Sequence, residues 1–308
     1  MIYLLLHYIP KLPTILLYLS YVVSFVLLVG LGLVYAFQCK LIYPADFPEK
    51  SRTEVSLPSE HNMPYYEDLT LRTRDNVKIK AYLIKQETDE KTRNACTLLY
   101  FHANAGNMGH RLPVAHIFYK MFKCNVLMLS YRGYGLSEGS PREKGIRIDA
   151  QTALDYIIEH PLLKNTKIIT FGQSTGGAVA IDLVTHNEEK IHAMILENTF
   201  LSLPKLVPSL FPFLRPVAFL CHQKWNSEEA IVRITKTPIL FLSGKRDEIV
   251  PPQHMKALHE KAITSGGKSI HEFNTGHNDT CLAPNYFDVI AQFWVKSIDD
   301  SFVKSGIN

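Results

Sequence analysis

Apart from one long apolar segment near the amino terminus, the chain alternates short apolar runs with segments of helical period. The runs near 69–73, 77–84, 97–102, 125–130, 167–172, 192–197, 238–243 and 269–273 read as strands. Helical patterns near 108–122, 142–160, 176–186, 253–265 and 285–298 alternate with the later ones. A helix between consecutive strands makes them run parallel, and a parallel strand covered on both faces is continuously apolar. The pattern therefore predicts an α/β fold: an eight-stranded, mostly parallel sheet with helices on both faces and antiparallel strands at the amino-terminal edge.

The amino-terminal segment has a different logic. From Leu12 to Cys39 no residue is charged, and the apolar run from Leu16 to Gly30 continues through Phe37. A bilayer is spanned by about 20 apolar residues, whereas the apolar region of a cleaved signal peptide has only about 7–15. Residues 1–40 are thus expected to form an uncleaved single-pass anchor, with the span at about 12–37. Pro10 and Pro13 suit a helix start, and Tyr3, Tyr8, Tyr35, Lys11 and Lys40 suit the two interfaces. Lys11 lies on one side and Lys40, Lys50 and Arg52 on the other, too small a bias to set the orientation. The expected compartment is the endoplasmic reticulum or another endomembrane, with the plasma membrane as the alternative. Residues 41–64, rich in proline and charge, read as a stalk, and 65–308 as one globular domain without repeats.

Candidate chemistry begins at Gly172-Gln173-Ser174-Thr175-Gly176, between the apolar run 167–171 and the helix-compatible run 177–184. This is the G-x-S-x-G elbow in strand–turn–helix context, which marks Ser174 as the candidate nucleophile. Its glycines let neighbouring segments approach where the turn strains the serine. A nucleophilic serine needs a base, and the base needs an acid to orient it, in the chain order Ser, Asp, His. Asp247 follows the apolar run 238–243, and His277 follows the run 269–273, so both are expected on loops at strand ends. Glu248 and Asp279 are the rival acids, Asp279 being two residues from His277. The oxyanion requires two backbone N–H donors. One is expected from Thr175, at the positive end of the following helix. The other is expected from the loop that begins at His102, from Asn104 or Ala103, with Asn104 preferred.

Four segments carry a family resemblance: Phe101 to Asn107, Tyr131 to Gly139, Gly172 to Gly177, and Gly276 to Thr280. Over residues 65–298 the chain resembles the α/β-hydrolase superfamily, and within it the membrane-anchored bud-emergence-suppressor (Bem-type) branch of fungi with its animal α/β-hydrolase-domain relatives. Ala103 departs from the pattern, standing where that family usually carries glycine. The resemblance implies a serine hydrolase of ester or thioester bonds that needs neither cofactor nor metal. Relatives elsewhere in the superfamily remove palmitoyl groups from proteins.

Residues 198–234, and 206–220 in particular, are apolar and too proline-rich for a long helix. They read as a small cap that either forms an acyl-chain wall or membrane-facing lid or packs on the sheet. Arg132 and Tyr134 follow the run 125–130 and are expected to support their loop in preference to touching substrate. Five cysteines, Cys39, Cys96, Cys124, Cys221 and Cys281, lack metal-ligand spacing; Cys96 and Cys124 read as core thiols. The only glycosylation sequon, Asn278-Asp279-Thr280, adjoins His277, where a glycan would obstruct the site. A net charge of +4 without a basic, aromatic-interleaved stripe argues against a nucleic-acid partner. Three readings follow. The first is a membrane-anchored esterase or thioesterase acting on lipid or lipidated protein, the second a peptidase or amidase with the same triad, and the third a non-catalytic interaction protein in cell polarity.

Overall fold

A computed structural model of the chain describes residues 12–298. The chain divides into two compact units, Met1–Leu41 and Ile42–Asn308. The described part of the first is residues 12–41 of helix α1 (Leu12–Ile42), which is 31 residues long. At 1.5 Å per residue such a helix extends about 46 Å, more than the ~30 Å hydrocarbon core of a bilayer. Its mean hydropathy of 2.3 and its exposed Leu16, Phe25 and Leu28 are those of a helix that is apolar all round. By length and composition it is able to cross a membrane.

The second unit is built on eight strands: β1 (Tyr66–Arg72), β2 (Lys78–Ile84), β3 (Thr97–Phe101), β4 (Asn125–Leu129), β5 (Ile168–Gln173), β6 (Ala193–Glu197), β7 (Ile239–Gly244) and β8 (Lys268–Phe273). They form one sheet in the order β1-β2-β4-β3-β5-β6-β7-β8. The β1–β2 and β2–β4 pairs are antiparallel, and every later pair is parallel. Strands β3 to β7 are buried at every residue, which is why their sequences run apolar without alternation.

The helices are α2 (Asp89–Asn94), α3 (Leu112–Met121), α4 (Glu143–Glu159), α5 (Thr175–Asn187), α6 (Leu203–Leu210), α7 (Ser227–Ala230), α8 (Gln253–Lys261) and α9 (Tyr286–Ser297). On one side of the sheet, Tyr100 and Phe171 pack with Phe118 and Phe122 of the α3 region and with Trp294 of α9. The helical pattern at 108–122 resolves into a 3-10 turn, Met108–Arg111, followed by α3, whose second position is Pro113.

The segment read as a stalk requires a correction. Residues 42–64 belong to the folded unit: Tyr43, Ser51 and Met63 are buried, and Asn107 donates through Nδ2 to the carbonyls of Ser51 and Glu54. Composition suggested an exposed spacer, but these carbonyls are the partners that the buried Asn107 amide requires.

Residues 198–234 are broken as the prolines dictate, into α6, a 3-10 stretch at Pro212–Leu220, α7 and a last 3-10 turn at Ile231–Arg233. Leu203, Leu206 and Ile231 are buried, while Leu210, Phe211, Phe213 and Phe219 are exposed.

Candidate active site

Six parallel strands, β3 to β8, have their carboxyl ends at one edge of the sheet, so the loops that follow them gather there. Outside such carboxyl ends is where open α/β sheets bind ligands.

Ser174 stands at the end of β5 as the residue preceding α5, with φ 54° and ψ −119°. A serine at positive φ is strained, and the surrounding structure must hold it there. The Ser174 N–H donates to the Glu197 carbonyl (2.8 Å), and Thr199 Oγ1 donates to the Ser174 carbonyl (2.7 Å). The glycines on either side make the turn possible. A Cβ on Gly172 would stand 2.2 Å from the Gly176 carbonyl oxygen, and one on Gly176 would stand 2.2 Å from that of Phe101. Either contact is far below van der Waals distance, so α5 starts as close to the end of β3 as backbone allows. This brings the elbow against the loop expected to complete the oxyanion site.

That loop is held from every side. Tyr131 donates through its hydroxyl to the His102 carbonyl, and Tyr134 to that of Asn104. Asn104 donates through Nδ2 to the Ile42 carbonyl, and the Gly106 N–H donates to that of Phe47. The His102 ring lies against Tyr131 and Tyr134, and burial lowers its pKa to about 3. The ring is therefore neutral and donates through Nδ1 to the Ala103 carbonyl at 2.6 Å. Ala103, where glycine was the family expectation, is buried and does not have positive φ, so its Cβ imposes no left-handed strain. Thr175 occupies the first position of α5, where an N–H has no intrahelical partner. Asn104 and Thr175 thus belong to two segments that touch.

The structure also brings His277 and Asp247 together. His277 lies in the loop after β8 and Asp247 in the loop after β7; both are buried, and His277 Nδ1 is 2.7 Å from Asp247 Oδ2. The second carboxylate oxygen of Asp247 accepts from the N–H groups of Ile249 (2.9 Å) and Val250 (2.7 Å). One oxygen is therefore fixed by backbone and the other is turned to the imidazole. The rival acids lie elsewhere. Glu248 accepts the His277 backbone N–H, and Asp279 is exposed. Asn278 is exposed too, so burial does not withdraw the sequon.

Two buried residues at the end of β6 went unmarked in the sequence. Asn198, with φ 46° and no exposed surface, donates through Nδ2 to the His277 carbonyl (2.9 Å) and to Thr280 Oγ1 (2.8 Å), and its Oδ1 accepts the Gly244 N–H (2.8 Å). It ties β6, β7 and the His277 loop together. Glu197 accepts from Gln173 Nε2 and from the Tyr286 hydroxyl. Burial pushes its carboxyl up to about 7 against those two hydrogen bonds. A residue of the asparagine type at positive φ directly after a strand is the one sequence-level sign that Asn198 is special.

Replacing Asn198 by alanine takes from the buried His277 carbonyl and Gly244 N–H the partners it supplies, while Thr280 Oγ1 keeps Gly276 and Thr275, and it keeps a Cβ residue in the left-handed region. The expected cost is about 2–4 kcal/mol, checked by urea denaturation. In the folded fraction kcat is expected to fall more than KM rises, because the His277 loop loses its tether. Unchanged kcat would reduce Asn198 to a purely structural residue.

Arg132 is held away from the site. It is 7% exposed and pairs with Asp149 and Asp75. The guanidinium holds the Asp75 carboxyl well below the usual carboxylate range, while burial raises that of Asp149 despite the same partner.

Comparison with known proteins assigns the family. Residues 98–233 match the family model described as serine aminopeptidase, S33. Protein bem46 of Schizosaccharomyces pombe is 50% identical over 270 residues, covering 87% of this chain and 89% of its own length. An uncharacterised membrane protein of Saccharomyces cerevisiae is 40% identical over 270 residues, covering 87% of this chain and 92% of its own. The α/β hydrolase domain-containing protein WAV2 of Arabidopsis thaliana is 40% identical over 272 residues, covering 84% and 87%. Among solved structures, a Pyrococcus furiosus esterase superposes with a TM-score of 0.62 at 20% identity, covering 83% of this chain and 96% of that one. At that identity the likeness speaks for the fold. With 50% identity to bem46 along nearly its whole length, the chain belongs to the α/β-hydrolase family.

Proposed function

We propose that this chain is a membrane-anchored serine hydrolase of carboxylic ester or thioester bonds that works through an acyl-enzyme. The observations that support the reading are a strained Ser174 at the elbow after β5 and, in the loop after β8 at the same edge of the sheet, a buried imidazole whose Nδ1 meets Asp247 at 2.7 Å. In this reading Ser174 attacks the acyl carbon while His277 Nε2 takes its proton. Asp247 holds the tautomer with hydrogen on Nδ1, and the N–H groups of Thr175 and Asn104 receive the developing oxyanion. His277 then returns the proton to the departing alcohol or thiol, and a water repeats the cycle to release the acid. Residues 12–37 of α1 are the anchor, which keeps substrates presented at a bilayer close to the site.

Labelling of the detergent-solubilised protein by a fluorophosphonate probe tests for an activated serine without knowledge of the substrate. Apolar residues of the cap supply a candidate acyl wall. Each buried methylene contributes about 0.8 kcal/mol, so kcat/KM is expected to rise severalfold per two carbons across a series of nitrophenyl esters from short to medium acyl length. A flat or falling series would instead mark a short-acyl site.

The description of the matching family as serine aminopeptidase favours amide cleavage as the second reading. Aminoacyl amides turned over faster than matched esters would establish it.

A further inference from the structure

We infer that the cap is a second membrane contact: residues 203–224 lie in the headgroup layer of the bilayer that α1 crosses, with Phe211, Phe213 and Phe219 at the acyl boundary. The inference rests on the proposed anchoring. Three observations within the folded unit carry it.

The first is exposure. Phe213 is 76% exposed and Phe219 72%, with Phe211 and Leu210 exposed beside them in the chain. The rings of Phe211 and Phe213 touch edge to face. Scattered apolar side chains on a surface need no explanation, but neighbouring phenylalanines turned outward from one short element mark a contact surface.

Chemistry is the second. Residues 203–224 carry Lys205, Arg215 and Lys224 and no carboxylate. Lys205 pairs with Glu228 beyond the segment at 2.5 Å, and Arg215 and Lys224 are the exposed cations beside the rings. Aromatic rings combined with cations and without anions suit the surface of a bilayer that contains anionic lipid, where rings enter about 5–10 Å and cations stay at the headgroups.

The third is where the chain enters the folded unit. That unit begins at Ile42, five residues after the end of the proposed span. Tyr43 is buried at 3% exposure; its hydroxyl accepts from Trp225 Nε1 at 2.8 Å and donates to Gln223 Oε1 at 3.1 Å. Gln223 Oε1 also accepts the Glu143 N–H at 2.7 Å. The entry point is therefore pinned to the carboxyl end of the element that carries the exposed rings. A chain whose proposed span ends at residue 37 reaches the folded unit within five residues, which keeps that element near the lipid surface and selects lipid over a soluble partner as its occupant.

The test uses the full chain reconstituted into vesicles of phosphatidylcholine and phosphatidylserine, with Phe213→Trp and Phe219→Trp as separate reporters. Wild-type emission from the buried Trp225 and Trp294 is the background. The expected result is a blue-shifted additional emission that is lost when the phosphatidylcholine carries brominated acyl chains and is resistant to aqueous acrylamide. Protein that floats with the vesicles while both reporters stay acrylamide-accessible and indifferent to bromine overturns the inference and leaves the anchor intact. Reporters shielded from both quenchers overturn it in favour of a protein contact, a second copy included. Protein that carbonate strips from the vesicles overturns the anchor, and the inference with it.

Discussion

Replacing Ser174 by alanine is expected to abolish fluorophosphonate labelling and ester hydrolysis while leaving the folded protein nearly as stable as before. The side chain removed is one hydroxyl, 5% of the residue is exposed, and the backbone bonds that hold the turn, to Glu197 and from Thr199, do not involve it. Loss of a nucleophile costs on the order of 10⁶ in kcat where the other two members act only through it. Strain points the same way. Alanine at φ 54° is no worse placed than serine, so Tm from a thermal melt is expected to stay close to that of the parent. Hydrolysis persisting in Ser174→Ala at the parental rate would end the assignment of this residue.

The second large effect belongs to the imidazole and its carboxylate. In the proposed mechanism His277→Ala removes the group that takes the serine proton, and turnover is expected to fall by several orders of magnitude. Asp247→Asn is expected to lower kcat by about 10⁴, because an amide in place of the carboxylate favours the wrong imidazole tautomer. Asp247 Oδ1 accepts two backbone N–H groups and Oδ2 faces His277 Nδ1. An asparagine can keep the first set with its oxygen and must then turn its NH₂ toward a nitrogen that already carries hydrogen. Asp279→Asn serves as the contrast: the residue is exposed, and kcat is expected to change little. A crippled Asp279→Asn beside an active Asp247→Asn would move the acid to the other loop.

Local rules were enough wherever partners are near in sequence or a burial pattern repeats. Continuous apolarity marked β3 to β7 as doubly covered strands, and the alternation of strands with helices predicted a mostly parallel sheet, as observed. The glycine spacing around Ser174 is a local steric demand, legible because Gly172 and Gly176 meet within one turn. Likewise, Asp247 and His277 could be named by chain order and by their positions after apolar runs.

What the tertiary structure alone decided depends on hydrogen bonds between distant segments. That His277 Nδ1 meets Asp247, and not Asp279 or Glu248, depends on the packing of two loops separated by 30 residues. Asn198 meets His277 across 79 residues and Glu197 meets Tyr286 across 89, so neither could be singled out by pattern. The segment 42–64 looked like a spacer because polar composition reports hydration preference; it is structured because the buried amide of Asn107 must find acceptors and finds them there, 56 and 53 residues away. Apolar periodicity determines which faces are buried and hence the layers of the fold. Which buried polar group meets which is set by where the layers bring the loops, and in this chain those meetings position His277, Asp247 and the loop that begins at His102.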